Sequence, residues 1–278
     1  MTRDSEPVYS FAALSNRLVV AGTITAITAL RIGAGRSSAV SGSDLPVLRD
    51  AVGRPFIPGA SLKGALRARA EALVQAVGGQ VRDFQALEVD LQANFRPIIT
   101  DTTASDREKT ERIWRDSTLI DRTFGAPWVA GRLFLRDAPV DPETWFGQHE
   151  VRSGVGLNRD TETAVENILY DYEVTPAGTR FGFRLTLENA EDWQLGLALL
   201  LLKPWERGEG AIGGFRSRGL GQVRLDVTAR RFVKVSDAAS AVSMLADDPA
   251  QAGAEVDDRQ ARHWIKALED KLAEAAYA

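Results

Sequence analysis

Residues 178–205, GTRFGFRLTLENAEDWQLGLALLLLKPW, hold a strand pattern followed directly by a helix pattern. In the first half every second side chain is large and apolar, namely Phe181, Phe183, Leu185 and Leu187. This alternation is typical of a strand with one buried face. The apolar run from Ala190 has the length of a helix and reaches a proline, which cannot continue one. We therefore predict a strand over 178–189 and a helix that ends at Pro204.

Four other segments extend this pattern to a whole domain. Residues 17–33, 131–140 and 222–235 are rich in β-branched or alternating apolar residues, which predicts three more strands. Between the first two lies GASLKGALRARAEALVQAVGG, where leucines and valines recur at helical spacing; Ser61 is the expected cap and Gly78–Gly79 the stop. The resulting order, β-α-β-β-α-β, predicts an α+β, ferredoxin-like (RRM-like) core.

Two polar segments interrupt that core, at about 80–126 and at 147–173. The second lies between the two middle strands, where a simple ferredoxin-like fold needs only a turn, and long polar insertions of this kind are more often functional or disordered than idle. We predict a domain over 1–234 that carries both insertions, followed by an acidic, helical C-terminal extension over 235–278.

Composition narrows the class of protein. The chain has 278 residues, 44% of them hydrophobic, and no cysteine, which excludes disulfides, thiolate metal sites and thiol nucleophiles. The start of the chain lacks a signal-peptide pattern, and the longest apolar run, LGLALLLLKPW, is too short to cross a bilayer. We therefore expect a soluble, cytoplasmic protein with no membrane partner.

The charge is unevenly distributed. Net charge is −4, but residues 235–278 contain four Lys or Arg against nine Asp or Glu, which leaves residues 1–234 close to +1. Within them, residues 203–234 contain eight basic and three acidic side chains. Because local patches rather than totals govern phosphate binding, the acidic balance does not exclude a nucleic-acid partner.

A glycine-arginine loop lies inside this basic segment, in GEGAIGGFRSRGLGQVRL (208–225). Glycines allow backbone N–H groups to approach an anion closely, and arginine side chains bind phosphates through their planar guanidinium groups. The glycines follow a helix and precede a strand, unlike those of a dinucleotide-binding fingerprint. The loop indicates a clamp on a nucleic-acid backbone, with a flexible surface loop as the alternative; its candidate residues are Gly213, Gly214, Arg216, Arg218 and Gly219.

A second candidate is the helix start PGASLKGALRAR, which carries Ser61, Lys63 and Arg67. It lacks the GxxxxGK[ST] pattern of a nucleotide-hydrolysing loop, but the free amides of a helix N-terminus can hold a phosphate. The alternative is an ordinary solvated helix face. Upstream, Asp44 lies in a polar turn, where aspartates mostly form turns. The two histidines, His149 and His263, have no partners at metal-ligand spacing.

Several of these segments together resemble a known family. FIPGASLKGALRARAEAL, GAIGGFRSRGLGQVRL and the inserted GVGLNRDTETAVENILYDYEVTPAGTRFGFRL are similar to the RAMP superfamily of CRISPR-associated proteins. SDLPVLRDAVGRPFIPGASLKG is similar to the most characteristic stretch of backbone subunits in type III effector complexes. The resemblance covers roughly residues 17–235 and depends on the order and spacing of the segments.

The resemblance implies a subunit that stacks with copies of itself and with other CRISPR subunits along a guide RNA. It further implies a thumb, the insertion at 147–173 with Arg159, which interrupts the duplex of guide and target RNA. Asp44 matches the aspartate that cleaves target RNA with a divalent metal, here expected to be Mg²⁺, whereas Asp50 is expected to be structural. Arg31 in LRIG stands where some members carry a histidine, and it can still contact phosphate.

The expected chemistry is attack of a ribose 2′-hydroxyl on its own phosphate, giving a 2′,3′-cyclic phosphate and a 5′-hydroxyl. Asp44 would orient or deprotonate that hydroxyl or bind the metal. Two alternatives stay open: a structural RNA-binding subunit whose sister subunit cuts, and a RAMP endoribonuclease that processes precursor guide RNA. The scarcity of histidine and the thumb-like insertion argue against the latter.

Overall fold

The computed structural model describes residues 9–36, 43–157, 159, 160, 162 and 164–276. The strands in these ranges are β1 (Asn16–Ala26), β2 (Phe56–Ile57), β3 (Leu133–Leu135), β4 (Ala138–Pro139), β5 (Glu150–Leu157), β6 (Ala164–Val174), β7 (Arg180–Glu188), β8 (Gly210–Ala211), β9 (Gln222–Lys234) and β10 (Ala254–Glu255). The α-helices are α1 (Gly59–Ala76), α2 (Phe84–Asp90), α3 (Arg96–Thr100), α4 (Asp106–Asp116), α5 (Leu119–Phe124), α6 (Asp192–Glu206), α7 (Ala238–Ala246) and α8 (Asp258–Ala276). A π-helical turn, Leu91–Phe95, joins α2 to α3.

The main sheet has the strand order β10-β9-β1-β7-β3, with β8 also paired to β9, and every pair is antiparallel. Helix α1 lies between β1 and β3 in the chain, and α6 lies between β7 and β9. The four central strands therefore follow the β-α-β-β-α-β order with β1 and β7 in the middle. This confirms the predicted ferredoxin-like fold.

The core lies between this sheet and the helices on one of its faces. In both β1 and β7, apolar side chains at alternate positions lie in this core, and the alternation predicted for β7 is present throughout. The first helix contributes Leu62, Leu66, Ala70 and Val74, all buried. Strand β1 is hydrogen-bonded to β7 from Arg17 through Thr25 and to β9 along its whole length, so the centre of the sheet is continuous.

The last helix belongs to the same core. Helix α8 packs along α6 and buries Trp264, Leu268 and Leu272. The two helices meet at Gly196, where a Cβ atom would stand 2.1 Å from the carbonyl oxygen of Trp264. Only glycine permits this approach, so the C-terminal residues complete the packing of α6.

Several local predictions were wrong. Pro58, not Ser61, caps α1, and Ser61 is the third residue of the helix. Helix α6 continues past Pro204 to Glu206 because a proline in the last turn removes only one internal hydrogen bond. The predicted strand over 131–140 is divided into β3, which pairs with β7, and β4, which pairs with β2. The strand predicted over 17–33 ends at Ala26, while the stop of α1 at Gly78, with φ of 84°, is as predicted.

The two interrupting segments have different structures. The first forms the helices α2 to α5, and the second forms most of a β5–β6 hairpin that is separate from the main sheet. We call this β5–β6 pair the hairpin. Asn158, Thr161 and Thr163 within it, and Ser41 and Gly42 ahead of Asp44, lie outside the described residues. Among the described helices, none is both long and apolar enough to cross a membrane.

Candidate functional site

The loop that carries Asp44 lies between two extended segments. On one side, residues 32–34 pair with 46–48, through hydrogen bonds from the Ala34 amide to the Pro46 oxygen (3.0 Å) and from the Leu48 amide to the Ile32 oxygen (2.8 Å). On the other side, Leu45 pairs in parallel with Tyr172 of β6. The loop is therefore a short added strand beside the base of the hairpin, and it is not a free turn.

Asp44 itself is bonded to the hairpin. Its Oδ2 accepts a hydrogen bond of 3.0 Å from the Asp171 amide. The neighbouring Ser43 hydroxyl donates to the Asp171 carbonyl oxygen at 2.9 Å, and the Leu45 amide donates to the same oxygen at 3.1 Å. Asp44 is nevertheless exposed, and within the described residues Oδ2 is the carboxylate oxygen with a hydrogen-bond partner while Oδ1 has none.

Arg31 lies on the segment that flanks this loop. Its side chain is 9% exposed, and its buried Nε has no hydrogen-bond partner among the described residues. A Cβ at residue 33 would stand 2.8 Å from the Arg31 guanidinium, so Gly33 leaves the space in which it lies. Burial lowers the pKa of Arg31. A planar guanidinium is suited to a phosphate, but the buried Nε itself is not accessible to a ligand.

The glycine-arginine loop folds back onto Arg31. The Gly214 amide donates to the Arg31 carbonyl oxygen at 2.9 Å, and a Cβ on Gly213, whose φ is 85°, would stand 2.3 Å from that oxygen. Residue 213 must therefore be glycine for the loop to reach the segment at 30–34. The next turn, Arg216–Arg218, ends at Gly219 with φ of 82°.

An aromatic cluster joins this loop to the hairpin. Phe215 has a left-handed backbone (φ 59°), which a bulky residue rarely adopts, and its ring packs edge-on against Tyr172 of β6 at 4.9 Å. The guanidinium groups of Arg31 and Arg218 lie 4.9 and 4.7 Å from the centroid of the Phe215 ring. Arg218 also donates to the Tyr170 hydroxyl. Strained backbone of this kind is concentrated at functional sites.

Most of the basic segment at 203–234 is neutralised by ion pairs. Five of its eight cations pair with carboxylates, namely Lys203, Arg207, Arg224, Arg230 and Arg231. In the described part of the chain, neither Arg216 nor Arg218 has an ion pair, and both are exposed. The positive charge that remains available for an anion is therefore concentrated on the glycine-arginine loop.

The candidates on α1 lie apart from this cluster. Within the described residues, no hydrogen bond or ion pair joins Ser61, Lys63 or Arg67 to Asp44. Arg67 pairs with Glu71 at 2.8 Å, and the first amide of the helix, that of Gly59, donates to the Asp137 carboxylate at 2.7 Å. Burial, and then the charge of Arg67, lower the pKa of Lys63. The Asp137 carboxylate therefore already binds one of the first amides of the helix. Of the two cations, Lys63 and Arg67, Lys63 has no ion pair within the described ranges.

The remaining candidates are dispersed. Arg159 is exposed at the far end of the hairpin. His263 is exposed on α8 and lies 3.0 Å from Asp192 of α6. His149 directly precedes β5, and its Nε2 accepts a hydrogen bond of 3.0 Å from Arg49. Sequence reasoning assigned no role to Glu173, Tyr170, Tyr172 or Phe215. The three aromatic residues could have been identified from the sequence by the presence of aromatic residues in the hairpin and between the glycines of the loop.

Metal donors are few at this site. Among the residues that the structure describes, no three His, Asp or Glu side chains are grouped closely enough to hold a metal ion. The adjacent Asp171 carboxylate already accepts from the Ser153 hydroxyl at 2.6 Å. Mg²⁺ commonly keeps several waters and binds through one or two carboxylates plus substrate phosphates. The free oxygen of Asp44 suits that kind of binding and does not suit an all-protein metal centre.

Comparison with known proteins identifies the family. Three curated proteins described as "CRISPR system Cms endoribonuclease Csm3" are similar to the chain. The one from Methanothermobacter thermautotrophicus is 28% identical over 218 residues (74% of this chain, 82% of that protein). The one from Mycobacterium tuberculosis is 35% identical over 175 residues (62% and 64%), and the one from Methanocaldococcus jannaschii is 26% identical over 220 residues (76% and 79%). The family model of the RAMP superfamily matches residues 23–224, well over half of the sequence, and the chain therefore belongs to the RAMP superfamily.

Proposed function

We propose that this protein is a backbone subunit of a type III CRISPR effector complex that binds guide RNA and cleaves complementary target RNA at Asp44. The observation that carries the proposal is the convergence of three segments at the base of the hairpin. The Asp44 loop, the Arg31 segment and the glycine-arginine loop are joined there by hydrogen bonds and ring contacts. The names of the three curated relatives support an endoribonuclease of this kind.

The guide RNA would be held through its backbone. Arg216 and Arg218 present guanidinium donors to phosphates, and Arg31 adds a third guanidinium. The amides of Gly214 and Gly219 donate within the protein. Lys63 on α1 and Arg159 on the hairpin are further candidate contacts to the RNA backbone. Because base pairing between guide and target reads the sequence, the protein needs no base-specific contact for this task.

Cleavage would use the exposed oxygen of Asp44. An ionised carboxylate beside the ribose can orient the 2′-hydroxyl and accept its proton while the hydroxyl oxygen bonds to phosphorus. The phosphorus–O5′ bond then breaks, leaving a 2′,3′-cyclic phosphate and a 5′-hydroxyl that takes its proton from water.

We further propose Mg²⁺ as the cofactor: Asp44 Oδ1 would hold it together with RNA phosphates, and this role is the alternative to accepting the proton of the 2′-hydroxyl. Bound in this way, it would supply positive charge at the reacting phosphate. The protein's own contribution is to hold that one oxygen in place, through the hydrogen bond from the Asp171 amide to the other oxygen.

The test is substitution of Asp44 in the assembled complex. We expect Asp44→Asn to lower target cleavage by about 100- to 10,000-fold, the usual contribution of a positioned acid or base, while guide and target binding stay unchanged. Asp50→Asn is the matched control: its carboxylate accepts from the Val52 and Arg54 amides within its own turn, and cleavage should continue. Undiminished cleavage by Asp44→Asn would instead identify a structural, non-cutting subunit. Specific cutting of repeat RNA by the purified chain would indicate precursor processing.

A further inference from the structure

The segment that follows Asp44 is fastened to both strands of the hairpin by three charged or polar side chains. Glu173 on β6, Arg49 in the loop and His149 ahead of β5 form a continuous chain of hydrogen bonds. We refer to these three residues as the strut. It lies beside the proposed cleavage site, and the proposed chemistry makes no direct use of it.

Glu173 is the centre of the strut. Its Oε2 accepts from the Val47 amide at 3.1 Å and from the Arg49 guanidinium at 2.7 Å. Its own amide donates to the Leu45 carbonyl oxygen at 3.1 Å. The Glu173 side chain is only 14% exposed, so this charge-assisted bond is partly shielded from water and stronger than an ordinary surface pair. One residue of β6 thus holds the loop at Leu45, Val47 and Arg49.

His149 extends the strut to the other strand of the hairpin. Arg49 Nε donates to His149 Nε2 at 3.0 Å, and the imidazole packs against Trp145 with centroids 4.7 Å apart. Arg49 therefore bridges a residue beside β5 and a residue of β6. The loop and the hairpin cannot move independently while both bonds are present.

We infer that Glu173 is a positioning residue, which fixes the Asp44 carboxylate by anchoring the loop to β6 through Val47 and Arg49. This inference depends on the proposed role of Asp44. Two sets of bonds seat Asp44, one at Ser43 to Leu45 and one at Val47 to Arg49. Loss of the second set leaves that end of the loop held by its pairing with residues 32–34 and no longer tied to β6. Displacement of a reacting group by about 1 Å can cost about 100-fold in rate.

The test compares Glu173→Ala and Glu173→Gln with Glu255→Ala in the assembled complex. Glu255 on β10 is a matched control because it too accepts from one arginine, Arg231 at 3.2 Å, and from one amide, that of Arg230 at 3.1 Å. It lies at the β10 edge of the main sheet, away from the hairpin. The measurements are the cleavage rate at saturating target RNA, the affinity for that RNA, and amide hydrogen exchange at Leu45 and Val47.

We expect Glu173→Ala to lower the cleavage rate about 10- to 100-fold with unchanged RNA affinity, and to speed exchange at Leu45 and Val47. Glu173→Gln keeps an acceptor for the Val47 amide but loses the charge, so it should recover part of the rate. Glu255→Ala should behave as the unsubstituted complex does. If Glu173→Ala does not assemble, Arg49→Gln breaks the same charged bond from the exposed side and takes its place.

The outcomes separate this inference from the proposed function. If Asp44→Asn abolishes cleavage but both Glu173 variants and Arg49→Gln cut at the normal rate, the positioning role is overturned and the role of Asp44 stands. Equal losses of RNA affinity and rate would also overturn it, because they would mark Glu173 as structural. If Asp44→Asn itself cuts normally, the proposed function fails, whatever the exchange at Leu45 and Val47 shows.

Discussion

The centre of the sheet and the base of the hairpin are both assembled from extended segments, but different forces hold them. In the sheet, β1 is paired along its length on both sides and buries Leu18, Val20 and Ile24 completely. At the hairpin base, the pairing is limited to isolated bridges such as Leu30 with Thr175 and Leu45 with Tyr172. A small apolar cluster around Tyr172, Val174 and Phe215, together with charged side chains such as those of the strut, provides the remaining attachment there.

This difference separates stability from function. Apolar burial is non-directional and shared by many residues, so the sheet sets the global free energy of unfolding. A few directional hydrogen bonds at a half-exposed surface contribute little to that free energy but fix where particular atoms lie. Substitutions in the two regions should therefore have separable effects, on unfolding in one and on RNA chemistry in the other.

The largest effect on stability is expected from Trp264→Ala in α8. Trp264 is 2% exposed and packs edge-on against Phe232 of β9 at 5.0 Å. Its removal leaves a cavity between α8, α6 and the sheet, so the free energy of unfolding should fall by about 3–5 kcal/mol. Denaturant unfolding of the purified chain measures this.

The control for this prediction is Arg262→Ala, an exposed neighbour on the same helix, which should change the unfolding free energy by no more than about 0.5 kcal/mol. Where the Trp264→Ala chain is still folded, it should assemble and cleave at the normal rate. A selective loss of cleavage in that variant would mean that the sheet and the hairpin base are coupled, and it would contradict the separation of stability from function.

The sequence predicted the sheet better than the site because apolar burial leaves a periodic pattern in the sequence and directional contacts between distant residues do not. Alternation at Phe181 to Leu187 and helical spacing in α1 report which face of an element is buried, and burial determines the core. The prediction from sequence was wrong where strand pairing rather than burial determined the structure. The segment 131–140, for example, is divided into two strands with different partners. No pattern within one segment could report that.

At the site, the sequence named candidates that stand in recognisable segments, and it did not name the residues defined by distant contacts. Asp44, Arg31 and the glycine-arginine loop stand in motifs that the sequence shows directly. Glu173 and Arg49 are separated by 124 residues, and neither has an unusual local context. Their significance depends on how the hairpin folds back on the loop, which periodicity does not encode. The roles predicted for all the site residues, Asp44 and Arg31 included, stay predictions.

Substitution of both Arg216 and Arg218 should have an intermediate effect, because it should weaken RNA binding and leave the free energy of unfolding almost unchanged. We expect Arg216→Ala with Arg218→Ala to weaken RNA binding and to flatten its salt dependence by about 0.7 in log–log slope for each lost phosphate contact. Because both side chains are exposed, unfolding should change by about 0.5 kcal/mol or less. RNA affinity measured across a salt series gives the slope.

The matched control for the arginine pair is Arg207→Ala with Arg224→Ala. It removes the same charge from the same segment, but both side chains are ion-paired, to Glu209 at 3.2 Å and to Asp226 at 3.1 Å. Its salt slope should stay close to that of the unsubstituted protein. If both double variants flatten the slope equally, general charge rather than the glycine-arginine loop governs binding.

The smallest expected effect is a pH dependence of the free energy of unfolding, which arises from the imidazole of His149 in the strut. Burial and then the charge of Arg49 lower the pKa of His149, while Glu173 opposes them. The unfolded chain therefore binds this proton more readily than the folded one. The stabilising contribution is complete above the ordinary pKa of about 6.5 and is lost as the pH falls from there through the lowered folded pKa.

The measurement is denaturant unfolding at pH 7.5 and 5.5 for the unsubstituted chain and for His149→Gln. Glutamine offers Arg49 an acceptor oxygen but does not titrate, so the difference between the two chains isolates this group from the other acids and bases. We expect the unsubstituted chain to lose more stability on acidification, by less than about 1 kcal/mol because solvent screens a half-exposed ring. Identical losses would show that the Arg49–His149 bond adds nothing to the strut, and the attachment of the loop would then depend on Glu173 alone.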